Sequence, residues 1–319
     1  MAGSDTTNHP VTDTLPAAHT AIPVRSWSHR VCRMLLLYAV IPYVTVTMLF
    51  ALFQRRLLYR PTHRNHLPAA DIAGQTVVED VELQAAEGLT LRGWHFRTET
   101  PHTESSPQLI LYFPGNSGCR QDRVYDCREF TRLGFDVLLF DYRGYGDNSG
   151  SPSEESLAAD ARRAWTFATR QMNVSPDQII LFGESLGGAV AVRLAAEVTL
   201  ADEPPRGLIL NSTFASLPET VAWHYPAFPF QVLLWDRYPS ADRIPHVTCP
   251  IVQFHGTADE FVPVEHGRQL FAAAPARSSE GVPKLFVTIE DGDHNSIPAT
   301  QLREALARFA DGAVSDAGE

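Results

Sequence analysis

Gly183-Glu184-Ser185-Leu186-Gly187 sets a serine between two glycines where an apolar run, Ile179 to Phe182, meets a helix-forming one, Ala189 to Ala196. A strand that must reverse into a helix within one residue is strained. That turn exposes the serine hydroxyl, and flanking glycines let neighbouring backbone approach without a Cβ clash. The chemistry this suits is nucleophilic attack on an acyl carbonyl, with Ser185 as nucleophile. By composition alone such a pentapeptide arises in roughly one chain in ten of this length, so its partners decide the matter. A serine of this kind needs a histidine base and a carboxylate to orient it, in the chain order Ser, Asp or Glu, His. Asp259 follows the apolar run Pro250 to Gly256, and His294 follows Lys284 to Ile289, so both sit in loops beyond a strand, in that order. Glu260, Asp291 and Asp293 are rival acids. The two aspartates are too close in sequence to His294 to face its imidazole and read as turn formers, and His255 is expected to pack behind Gly256 rather than act as the base.

The oxyanion produced by such an attack needs backbone N–H donors. One comes from the residue after the nucleophile, Leu186. The second comes from the loop after the third strand, Pro114-Gly115-Asn116-Ser117-Gly118, where Pro114 has no N–H and Asn116 is the expected donor.

These residues must be held at the carboxyl ends of strands in an open α/β sheet, where ligands collect. The order of elements predicts that frame: strands near 77–83, 89–96, 109–113, 137–142, 179–182, 208–210, 250–256 and 284–289, with helices over 121–133 and from Ser151 to about Met172. Ser151 is the expected N-cap of the second helix, with Pro152 at its first position and Glu154 completing a capping box. Residues 211–249, rich in aromatic side chains and broken by Pro218, Pro226 and Pro229, interrupt the strand order as a small apolar lid.

From Met34 to Phe53 the chain carries no charge. Twenty residues at about 1.5 Å each span a hydrocarbon core of about 30 Å, which predicts a single transmembrane anchor. A cleaved signal peptide would be shorter and end in a small-residue site. The organisation expected is a disordered tail at 1–33, the anchor at 34–53, an interfacial linker at 54–75, one catalytic domain at 76–311 and a tail at 312–319. Arg25, Arg30 and Arg33 precede the span and Arg55, Arg56, Arg60 and Arg64 follow it, a balance that assigns no side to the catalytic domain.

The first 60 residues carry net +4 and the remainder net −15. An acidic body lacks the clustered basic face that nucleic acid requires. Four cysteines without Cys-x-x-Cys or His pairing predict no metal, and the absence of a phosphate loop or dinucleotide fingerprint predicts no cofactor. A Cys119–Cys127 disulfide fits an oxidising compartment, with free thiols as the expected state.

Tyr112-Phe113-Pro114-Gly115-Asn116-Ser117-Gly118, Leu133 to Val137, Phe140-Asp141-Tyr142-Arg143-Gly144-Tyr145-Gly146, Gly150 to Glu154, the serine pentapeptide and His255 to Glu260 resemble the membrane-anchored α/β-hydrolases of the abhydrolase-domain family, close to its serine aminopeptidase-like group. The similarity runs from about Gln54 to Phe309. It implies an α/β-hydrolase fold, a mostly parallel sheet with helices on both faces, and Ser185, Asp259 and His294 as a triad. Family members commonly have His-Gly-Asn-Ala-Gly where this chain has Pro114 to Gly118. Arg143 is expected to hold loops together. The activity expected is hydrolysis of carboxylic esters or thioesters of lipophilic acyl groups, on a small molecule, a lipid or an acylated protein. A peptidase is the alternative within the resemblance, although no acidic site for a substrate α-amine is marked out. A non-catalytic membrane-tethered scaffold is the third reading, and an intact Ser, Asp and His set stands against it.

Overall fold

The computed structural model describes residues 27–72, 74, 76–99 and 109–310. The expected tails, apart from the residues between 27 and 33, and part of the expected linker lie outside these. The chain divides into two units, one ending at Leu49 and one starting at Phe50.

Among the described residues a single helix, α1 (Trp27–Leu58), is long and apolar enough to cross a membrane. Leu36–Val40 within it is a wider π turn, just ahead of Pro42, which has no N–H to give the helical ladder. At about 1.5 Å per residue, Trp27 to Leu49 covers about 34 Å, enough for a hydrocarbon core. Phe50 to Leu58 belong to the second unit, four residues earlier than the expected start of a linker at Gln54.

The second unit is built on eight strands: β1 (Val77–Gln84), β2 (Thr90–Arg97), β3 (Leu109–Phe113), β4 (Asp136–Phe140), β5 (Ile179–Glu184), β6 (Gly207–Asn211), β7 (Ile251–Gly256) and β8 (Leu285–Ile289). Their order across the sheet is β8-β7-β6-β5-β3-β4-β2-β1. β1 and β2, and β2 and β4, pair antiparallel, and all other neighbours are parallel. The period of two along each strand divides the interior into two cores. Leu109, Leu111, Leu138, Leu181 and Leu210 face one side, where they meet helices α3 (Glu154–Thr166) and α4 (Leu186–Leu200). Ile110, Val137, Leu139, Ile180 and Ile209 face the other, against α2 (Val124–Arg132) and the C-terminal helix Ala299–Ala310. Strands buried on both faces are therefore near-continuous apolar runs.

Two local expectations are corrected. The N-cap of α3 is Ser153, not Ser151: its Oγ accepts from the Ser156 N–H at 3.2 Å, and Ser156 Oγ accepts from the Ser153 N–H at 2.9 Å. Glu154 is drawn away from capping by the insertion, accepting from the N–H groups of Arg237 (2.7 Å) and Tyr238 (2.9 Å) and pairing with Arg243 at 2.6 Å. The helix expected over 121–133 begins as a 3-10 turn, Arg120–Arg123, and becomes α-helical only at Val124. All four cysteines are free thiols, with Cys119, Cys127 and Cys249 buried.

Residues 211–249 fold as helices α5 (Leu217–His224), α6 (Phe230–Leu233) and α7 (Ser240–Arg243) between β6 and β7. Phe214, Leu217, Phe230, Leu234 and Tyr238 join the main core, while Trp223, Tyr225, Val232 and Trp235 stay exposed.

Candidate active site

β5 ends at Glu184 and α4 starts at Leu186, so Ser185 makes the whole turn, at φ 53° and ψ −119°. A left-handed backbone at a non-glycine residue is strained, and packing must hold it there. The surrounding glycines permit that packing. A side chain on Gly183 would meet the backbone of Gly187 and Gly188, and one on Gly187 would meet the carbonyls of Phe113 and Pro114. β3 and the Pro114–Gly118 loop can therefore lie directly against the first turn of α4.

His294, in the loop after β8, directs Nδ1 at Asp259 Oδ2 across 2.7 Å. An Nδ1–H donated there leaves Nε2 free to accept a proton. The carboxylate is fixed by its own loop, since Asp259 Oδ1 accepts from the N–H groups of Phe261 and Val262, both at 2.9 Å. His255, wholly buried, sits with Nε2 at 2.8 Å from the Val262 carbonyl and 3.4 Å from Asp259 Oδ2. Sequence reasoning set His255 aside as packing, and it does pack, but on the carboxylate itself. Burial works against the charged form of Asp259. The hydrogen bonds from His255 and His294, with the charge of His294, outweigh burial and hold its carboxyl well below the usual range.

The rival acids are placed elsewhere. Asp293 Oδ1 accepts from the Asn295 N–H and the Ser296 hydroxyl, as a turn former does. Asp291 occupies a left-handed turn position, and Glu260 is exposed.

Asn116 and Leu186 border the same cavity as Ser185 and His294. Leu186 opens α4, where helical N–H groups have no partner in the helix. The Asn116 loop is braced by two tyrosines of the Asp141-to-Gly146 block. Tyr142 donates its hydroxyl to the Pro114 carbonyl at 2.9 Å, and Tyr145 donates to the Asn116 carbonyl at 2.7 Å. The Asn116 amide donates to the Leu58 carbonyl at 2.6 Å, and the Asn116 carbonyl also accepts from the Arg60 N–H at 2.9 Å. Pro114 thus stands in a loop held by its carbonyls. Arg143 lies 2.6 and 2.8 Å from the carboxylate of Asp160 on α3, a buried bidentate pair.

Two further groups were not legible beforehand. Glu184, beside Ser185, forms a bidentate pair with Arg123 (2.8 and 2.9 Å) and accepts from Tyr112 at 3.1 Å. Its carboxylate lies directly behind Gly115 of the Pro114–Gly118 loop. Arg123 offsets a negative charge that would otherwise oppose an oxyanion there. The second group is the end of α1. Gln54 is buried, Arg55 pairs with Asp236 through two 2.9 Å bonds, and Tyr59 donates to Asp236 at 3.0 Å. The segment expected to lie as an interfacial linker is instead built into the domain at these residues, because Asp236 and the backbone of the insertion supply partners for its polar groups.

The cavity over Ser185 measures about 1120 Å³. Phe214, Leu217, Val221, Phe230 and Leu234 make part of its wall apolar, and Asp122, Arg123, Asp126 and Glu129 make another part charged.

Residues 108–248 match the family described as the alpha/beta hydrolase fold. The uncharacterized protein Rv2307c of Mycobacterium tuberculosis is 39% identical over 286 residues, which cover 87% of this chain and 95% of that protein. The lysophosphatidylserine lipase ABHD12 of Macaca fascicularis is 34% identical over 199 residues, 57% of this chain and 50% of that protein. Among solved structures, the esterase Pf2001 of Pyrococcus furiosus superposes with a TM-score of 0.57 at 17% identity, over 79% of this chain and 97% of its own. That last likeness is one of fold alone.

Proposed function

The chain belongs to the α/β-hydrolase family, and on that premise we propose that it is a membrane-anchored serine hydrolase that cleaves carboxylic esters or thioesters of lipophilic acyl groups. The observation that carries this reading is the 2.7 Å bond from His294 Nδ1 to Asp259, in a cavity that also holds the strained turn of Ser185. Ser185 Oγ attacks the acyl carbonyl while His294 Nε2 takes its proton. The carbonyl oxygen, now negative, is held by the N–H groups of Leu186 and Asn116. Asp259 stabilises the imidazolium and keeps its proton on Nδ1. The C–O or C–S bond then breaks, His294 protonates the departing alcohol or thiol, and a water activated by the same histidine releases the acid from Ser185.

The apolar cavity wall supports a lipophilic acyl chain, and the lipase among the similar proteins supports an ester. Membrane attachment is supported by α1, which is uncharged from Met34 to Phe53.

Turnover of p-nitrophenyl and thioester substrates of graded chain length tests the reading. The full-length protein is expected to favour medium or long acyl chains over acetyl, and Ser185→Ala to abolish turnover. Strict preference for acetyl, or activity in Ser185→Ala within tenfold of wild type, contradicts it.

A further inference from the structure

The last turns of α1 border the cavity above Ser185 through Phe50, Gln54, Leu57 and Leu58. Phe50 is wedged among rings of the insertion. It meets Phe228 edge-on with centroids 5.2 Å apart, Phe230 edge-on at 5.6 Å and Tyr225 at 6.3 Å. Such tilted pairs are attractive beyond the area they bury. The helix beneath the ring is clamped as well. Gln54 donates to the Leu233 carbonyl at 3.2 Å and accepts from the Trp235 N–H at 2.7 Å, and the Arg55–Asp236 pair lies one residue further on. A ring held by three others, on a helix tied through the Gln54 and Arg55 side chains, cannot yield to an incoming chain without disturbing close-packed neighbours.

We propose, resting on the acyl-hydrolase reading above, that Phe50 is a specificity-determining residue whose ring limits the acyl chain that Ser185 accepts. The substrate is then an ester or thioester with an unbranched acyl chain, whose methylenes pack against Phe50, Phe230 and Leu234. Each methylene that still finds apolar contact raises kcat/KM by roughly fourfold, and the rise stops where the chain meets the ring. A residue of the anchor helix, and not of the lid alone, sets the substrate.

The test is the chain-length profile of kcat/KM for the full-length protein in detergent micelles, on p-nitrophenyl esters from butanoate to hexadecanoate. Wild type is compared with Phe50→Ala, Phe50→Leu and Phe50→Trp, and thermal unfolding confirms that each variant is folded. The plateau is expected to move to longer chains in Phe50→Ala, with the long-to-short ratio rising roughly fourfold per methylene admitted. In Phe50→Trp it moves to shorter chains, and Phe50→Leu falls between wild type and Phe50→Ala. Profiles that coincide with wild type in the folded variants overturn the role of Phe50. Ser185→Ala is run alongside: hydrolysis surviving in that variant removes the underlying reading, whereas a dead Ser185→Ala with unshifted profiles removes the Phe50 proposal alone.

Discussion

The loops that carry Ser185, Asp259 and His294 and the cavity wall differ in how much chain their contacts cross. The Ser185 N–H donates to the Asn211 carbonyl, 26 residues on, at 2.8 Å, and the His294–Asp259 bond joins residues 35 apart. The Arg55–Asp236 pair spans 181 residues and the Gln54–Leu233 bond 179. Proton transfer demands fixed geometry, which short loops at strand ends supply at little entropic cost. The wall needs only shape, which distant segments create by packing. A chain can therefore keep its chemistry while its substrate changes, since different residues carry the two tasks.

The sharpest way to break this division is to strike each region and compare. Ser185→Ala and His294→Ala are each expected to lower ester turnover by several orders of magnitude, with Asp259→Asn close behind at about 10⁴, because the histidine loses its oriented tautomer. Thermal melts should show all three still folded. If Glu260→Gln were the damaging change and Asp259→Asn harmless, the acid would have been misassigned.

Truncation separates the two halves of α1. Deleting residues 1–49 removes the first unit and leaves Phe50, Gln54 and Arg55, so turnover of soluble esters is expected to persist while turnover of vesicle-borne substrate falls. Deleting residues 1–58 also removes partners of Asp236 and of the Leu233 and Trp235 backbone, and is expected to lower unfolding stability by about 3–5 kcal/mol. Equal urea midpoints for the two truncated forms would show that the end of α1 is not part of the domain's fold.

Asn116→Ala tests a finer link, between the helix end and the loop proposed to hold the oxyanion. Its backbone N–H survives, but the amide bond to the Leu58 carbonyl is lost. A fall in kcat of roughly tenfold, with KM little changed, is expected from a loosened oxyanion donor, which acts in the transition state. A change confined to KM would place Asn116 in substrate binding.

The smallest effect concerns pH and stability. The Asp259 carboxyl is depressed in the folded protein, so the unfolded chain takes up its proton first on acidification. The stability it contributes is complete above the ordinary aspartate value of about 3.9 and drains away as pH falls below it. The deficit of Asp259→Asn against wild type is therefore expected to be full at pH 7 and to narrow below about pH 4, as read by urea unfolding. A deficit constant over that range would mean the carboxylate is not held ionised by its partners.

What was legible in the sequence follows the same division. β3 to β7 could be placed because strands buried on both faces are short apolar runs bounded by polar or glycine residues. Ser185, Asp259 and His294 stood out because each follows such a run directly. The cap of α3 misled because Ser151 and Ser153 both precede the helix, and the choice between them was made by the insertion, which claimed Glu154 from 82 or more residues away. Gln54 and Tyr59 carried no local sign of burial, since their partners, Leu233, Trp235, Asp236 and Tyr238, are brought to them only by the fold. Arg123 and Glu184 lie 61 residues apart in sequence and meet only because β5 and the turn before α2 bring them together.

The central claim is that Ser185 is the nucleophile activated by His294. The most direct test treats the full-length protein with an alkyl fluorophosphonate, then reads intact mass and maps the adduct by peptide mass spectrometry. The account predicts one adduct per chain, on Ser185, absent from Ser185→Ala and slowed by orders of magnitude in His294→Ala. An adduct on another residue, or none on folded wild-type protein, contradicts it.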